Sequence, residues 1–163
     1  MIGCIILFFG IGLFTPTVTY TNTISINASP AKCFRLFMDT ARMNEWMPGF
    51  KSFKIEKGKG LEEGSKWNLV LIQEGQSFDM SETVKTVKPD EQFSFLLENA
   101  VLHNTVDMYF KPSGSNTELV VNNIVSGNNI MWKSLFYFNK SRLQDQSMEM
   151  YDDLKTMIET SPE

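Results

Sequence analysis

Apolar and polar residues alternate with a period of two through Thr17 to Asn27 (TVTYTNTISIN), where Val18, Tyr20, Ile24 and Ile26 share one face and Thr17, Thr19, Thr21, Thr23 and Ser25 the other. That pattern predicts a strand with one buried face. The period then changes. Ser29-Pro30 supplies an N-cap followed by proline at the first helical position, and Cys33, Phe34, Phe37 and Met38 recur at helical spacing. The stretch TARMNEWM predicts a second short helix that stops at Pro48-Gly49, where a donor is lost and a sharp turn becomes possible. Six further strands are predicted over 50–57, 65–74, 76–87, 92–97, 102–111 and 117–125, separated by turns rich in glycine, proline, serine and asparagine. Connections this short require antiparallel pairing. From 129 to 160 there is neither proline nor glycine, which predicts one long helix of ~45 Å at roughly 1.5 Å per residue.

Seven strands with one face to bury need a covering layer, and one long helix with two short ones is all that remains of the chain. The expected fold is α+β, a curved seven-stranded antiparallel sheet around a long C-terminal helix, with two short helices after the first strand. A sheet curled around a single helix touches it along a line. The gap left between them, if apolar, suits an apolar ligand.

Ahead of this unit the pattern is different in kind. Residues 1–31 carry no charged side chain, and the opening MIGCIILFFGIGLF is apolar or glycine throughout. The run is shorter than the ~20 residues of a spanning helix, but it has no basic residue before it and no clear small-x-small cleavage site after it. Residues 1–16 are therefore expected to be a hydrophobic anchor or signal-like segment, an anchor fitting better than a cleaved signal, leaving a domain over 17–160 and a tail at 161–163.

Composition narrows the function classes. The chain has 163 residues, 42% of them hydrophobic and 21% charged, with 15 Lys+Arg against 19 Asp+Glu for a net charge of −4. These are the proportions of one ordinary globular domain. No basic excess is present to neutralise a phosphate backbone, so nucleic acid is not an expected partner. The two cysteines, Cys4 and Cys33, lie far apart, and His103 is the sole histidine. No metal site, cofactor motif or catalytic triad is expected from them. The lysines at 51, 54, 57 and 59 and the acidic residues of the last helix read as solvated faces.

Several short stretches, in this order, carry a resemblance. TISINASPAKCF at 23–34 looks like an I-x-I-x-A-x-P-x-x-V-F turn from strand to helix, NEWMP at 44–48 like a Trp-containing second helix, and EGSKW at 63–67 like an x-x-G-s-x-W strand start. Together with the element order they resemble the START-like, or SRPBCC, superfamily of helix-grip domains, which includes polyketide cyclase/dehydrase and lipid-transport proteins. The apolar run ending before Pro16 is similar to membrane-anchored bacterial members. The resemblance implies the helix-grip fold and a hydrophobic cavity, and leaves open whether the domain carries a ligand, transforms it or binds a protein.

Cavity candidates follow from strand parity and the helical stripe: Trp67, Leu69 and Leu71, then Phe78 and Met80, then Phe93 and Phe95, with Met131, Leu135 and Phe138 on the long helix. Trp46 and Phe50 are expected near the mouth. Three polar residues share faces with apolar ones and are polar cavity candidates: Glu82, His103 and Asn123. A Glu82 facing a dry cavity would have a raised pKa and could act as a general acid or base. The commoner arrangement is an outward glutamate paired across strands with lysine, and that is the one expected. The leading expectation is a membrane-tethered binder or carrier of a hydrophobic small molecule or lipid. An enzyme of the cyclase/dehydratase kind comes second and a protein-interaction module of the same fold third.

Overall fold

The computed structural model describes residues 10–15, 17–73 and 75–162. Strand β1 (Val18–Ile26) alternates buried and exposed without a break, as its threonine and aliphatic alternation requires. Helix α1 (Pro30–Phe37) starts from Ser29, whose side chain accepts from the Lys32 amide, and it buries Cys33, Phe34, Leu36 and Phe37. A 3-10 turn (Thr40–Arg42), capped by Asp39, leads into α2 (Met43–Trp46). Strands β2 (Phe50–Lys57), β3 (Lys66–Gln73), β4 (Gln76–Lys88), β5 (Gln92–Glu98), β6 (Leu102–Ser113) and β7 (Asn116–Gly127) follow. All six neighbour pairs are antiparallel, and the sheet order is β1-β7-β6-β5-β4-β3-β2. The expected seven-stranded architecture is present.

Consecutive strands β1 and β2 thus lie on opposite edges, and the chain between them, α1 and α2, crosses one face of the sheet. Register shifts interrupt β2, between Phe50 and Ser52 and between Ile55 and Lys57, and β4, between Val84 and Thr86, and such irregularities bend a strand locally. The main core lies on the face that α1 and α2 cross. Phe34 and Phe37 meet Phe110 at 5.4 and 5.8 Å between ring centroids, and Phe37 meets Phe93 at 5.3 Å. Such edge and tilted contacts add to plain area burial.

The expected single helix over 129–160 is two: α3 (Ile130–Phe138) and α4 (Lys140–Thr160). Asn139 stands between them with φ −106° and ψ 19°, and its Nδ2 donates to the Leu135 carbonyl at 2.8 Å. The two halves bury different stripes against different partners. In α3, Phe136 joins Val18, Tyr20 and Val125 in a small separate cluster. In α4, Tyr151, Leu154, Met157 and Ile158 close the main core. No straight helix serves both. Met131, Leu135 and Phe138, expected along the gripping stripe, consequently stand on α3 with 48%, 38% and 53% of their surface exposed.

Residues 10–14 are helical, and a Cβ at Gly12 would touch the Ile130 carbonyl and the Ser134 hydroxyl, each at 2.5 Å, so this segment lies against α3. Residues 1–9 and 16 of the expected anchor fall outside the described residues. The expectation of a membrane-spanning anchor is corrected: among the described residues no helix is long and apolar enough to cross a membrane.

Candidate functional site

Between the sheet, α2 and α4 lies a cavity of about 160 Å³. Each wall comes from a different element. Strand β3 contributes Leu69 and Leu71, β4 Met80 and Glu82, β5 Phe93, Phe95 and Leu97, and β6 Met108. Period-two alternation explains why these positions share one face, and the register rows confirm it: Leu69 opposes Met80, and Trp67, Glu82, Leu97 and Asn104 lie on one line across four strands. The helical side supplies Phe37, Met43, Trp46 and Met47 with Pro48, and Leu61 comes from the β2–β3 connection. From α4 come Met150 and Tyr151.

Of the residues singled out from sequence, Trp46, Leu69, Leu71, Met80, Phe93, Phe95 and Glu82 lie on the lining. Trp67 is fully buried but packs on Phe53 at 5.3 Å and donates its indole N–H to the Gly60 carbonyl at 3.2 Å, so it lies beside the cavity on the same face without lining it. Phe50 packs on Phe53 at 6.4 Å. Phe78 is 41% exposed, near the β3–β4 turn and off the lining. His103 is on the other face of the sheet, where its Nδ1 lies 2.7 Å from Glu98 Oε1 in an exposed pair. Asn123 is buried but sits behind the lining, beside Tyr151, and its Oδ1 accepts from Asn104 Nδ2 at 3.0 Å.

Glu82 departs most from expectation. Instead of facing outward to a lysine it is 5% exposed and turned into the cavity. Burial alone, with no opposing hydrogen bond or cation, pushes its carboxyl up from the ordinary 4.5 to about 7. Tyr151 is the second polar group on the lining. Burial raises its phenol, the neighbouring Tyr20 adds to the rise, and the Asn123 amide opposes it. Behind these two stands a polar layer that is only partly paired. Tyr20 and the Ser147 hydroxyl lie 3.0 Å apart, and Asn22 Nδ2 donates to the Gln144 carbonyl at 3.1 Å. Among the described residues, Asn22 Oδ1, Asn104 Oδ1 and the Trp46 indole N–H are buried without a hydrogen-bond partner.

Tyr151, Leu97 and Met108 were absent from the expected lining although the signal for them was present. Leu97 continues the parity of Phe93 and Phe95, and Tyr151 stands at i−3 and i−7 from Leu154 and Ile158. Among the described residues no group of histidine, cysteine, aspartate or glutamate is placed to hold a metal ion.

A family model described as activator of Hsp90 ATPase homolog 1-like protein matches residues 27–159. No curated protein matches the chain in sequence. Among solved structures, Ara h 8.0201 has a TM-score of 0.71 at 10% identity, over 89% of this chain and 99% of its own. Norcoclaurine synthase from Thalictrum flavum, in complex with dopamine and hydroxybenzaldehyde, has 0.68 at 12%, over 94% and 93%. The di-domain ARO/CYC BexL from the BE-7585A biosynthetic pathway has 0.71 at 14%, over 91% of this chain and 52% of that one. At such identities the likeness shows the fold, which is the helix-grip fold of the START-like superfamily. Within that superfamily, the match over residues 27–159 shows that the chain belongs to the activator of Hsp90 ATPase homolog 1-like family.

Proposed function

We propose that the protein binds a compact hydrophobic small molecule in the cavity between sheet and helices. The observation that carries this reading is an apolar void of about 160 Å³ whose lining holds two ionisable side chains, Glu82 and Tyr151, among carbon and methionine sulfur. An apolar cavity of roughly 150 Å³ takes up benzene, whereas drug-sized ligands occupy roughly 300 Å³ or more. The volume thus suits one ring or a short chain better than a whole lipid. Five methionines on the lining give it some capacity to reshape. Native mass spectrometry of the full chain, followed by extraction and titration with apolar probes, tests the proposal. A retained or readily bound small apolar molecule supports it. A protein that takes up no such probe refutes it.

A second reading is supported by Glu82. A carboxyl with a pKa near 7 in an apolar cavity has the properties of a general acid or base. Under this reading the domain transforms its ligand, with Glu82 moving the proton and Tyr151 hydrogen-bonding the reacting group. Neither His103 nor Asn123 is on the lining to share that work. Conversion of a bound compound by the intact chain, lost in Glu82→Gln, distinguishes this reading from simple binding.

A further inference from the structure

Glu82 sets a condition on the ligand. Its carboxyl is inside a wall whose other residues with polar side-chain atoms are Tyr151 and Trp46, and among the described residues no cation or hydrogen-bond donor is paired with it. A buried carboxylate without a partner is costly, and the cost falls most when a positive donor arrives. Tyr151 is the other titratable side chain on the lining, and β3, β5, β6, α2 and α4 bring no lysine, arginine, histidine or aspartate to it. A ligand carboxylate would therefore meet a like charge and no counter-ion. An ammonium would meet Glu82 and the faces of an aromatic wall that includes Phe93, Phe95 and Trp46, and such faces also attract cations.

We propose that the cavity selects small apolar amines, with the ammonium paired to the Glu82 carboxylate and a single ring or short chain filling the remainder, and that it excludes the isosteric carboxylic acids. This rests on the reading of the cavity as a binding site for small apolar molecules. It adds the chemical class and a proton-linked selectivity.

Three probes that share a phenylethyl group separate the two ideas: ethylbenzene, 2-phenylethylamine and 3-phenylpropionate, titrated into the full chain at pH 8 and followed by NMR chemical shifts. The expected order is amine tighter than hydrocarbon by about tenfold, and carboxylate weakest, since the charge-assisted hydrogen bond to Glu82 outweighs the desolvation of the ammonium while a second carboxylate meets only repulsion. At pH 5, with Glu82 protonated, the ratio of amine to hydrocarbon affinity should fall below one, because a buried ammonium then has no counter-charge. Glu82→Gln should likewise bring the ratio below one at pH 8. If ethylbenzene binds but the amine is no tighter, or the carboxylate is tightest, the selectivity is overturned while the cavity reading stands. If none of the three binds, both are overturned. The wild-type series decides the matter even if the variant does not fold.

Discussion

At the scale of single residues, Glu82 couples stability to pH with a definite sign. Its folded pKa of about 7 exceeds the ordinary 4.5, so between those values the folded state holds a proton that the unfolded chain has released. The stabilisation from that proton is fully present below pH 4.5 and is lost as pH rises through 7, a change on the order of 3 kcal/mol. Urea unfolding from pH 5 to 8 should show wild-type stability falling over this window and Glu82→Gln nearly flat. Equal slopes for the two proteins would contradict the burial of this carboxyl. A second residue-scale test fills the void. Leu97→Phe adds apolar volume at a lining position and should raise stability by about 1 kcal/mol while abolishing uptake of a ring-sized probe. Calorimetry and probe titration of the same sample check both halves. Parity in the sequence was enough to place Leu69, Leu71, Met80, Phe93 and Phe95 on one face. It could not say that Trp67 would be occupied by Phe53 and Gly60, because those partners come from another strand and a loop. Nor could it choose a face for Glu82, since local preference favours solvent and only the global position of the strand turns it inward.

At the scale of elements, the strand boundaries were legible because each strand is bounded by turn residues with a specific backbone demand. Gly49 is the sharpest case. It has φ +73°, a Cβ there would collide with the Ile72 carbonyl oxygen, and its own carbonyl accepts from the Ile72 amide at 2.7 Å. Gly49→Ala should therefore destabilise the protein by about 3 kcal/mol, combining a left-handed backbone with a steric clash. A shift of the urea midpoint with unchanged slope would report it. The break at Asn139 was not legible. Asparagine is neither proline nor glycine, and the window 129–160 contains no other interruption. What divides the helix is a change of partner: Phe136 finds Val18, Tyr20 and Val125, while Tyr151 to Ile158 find the main core. That information is tertiary, and a helical stripe read along one axis misses it.

At the scale of the whole molecule, the sheet order makes β1 the element that completes the fold. It forms nine register pairs with β7, from Val18–Val125 to Ile26–Thr117, across about a hundred residues of sequence. It also receives α4 through Asn22 and Thr21, which bond to Gln144. Removing residues 17–27 should leave β7 as an open edge and expose apolar surface, so that the remainder is aggregation-prone or unfolded. Circular dichroism and size-exclusion chromatography would show this directly, and a monomeric, folded remainder would contradict it. The superfamily could be recognised because element order is itself a whole-molecule property spread along the chain. The N-terminal apolar run shows the converse limit: composition alone suggests an anchor, whereas in the described part of the run Gly12 lies against Ile130 and Ser134 of the domain. The methionines around the cavity, Met43, Met47, Met80, Met108 and Met150, are gathered from α2, its end, β4, β6 and α4. Oxidation of these thioethers would place polar sulfoxides in the wall from several sides at once. Mild peroxide should therefore extinguish the affinity for apolar probes before the fold is lost, and methionine sulfoxide reductase should restore it, making the site responsive to oxidants without any cysteine.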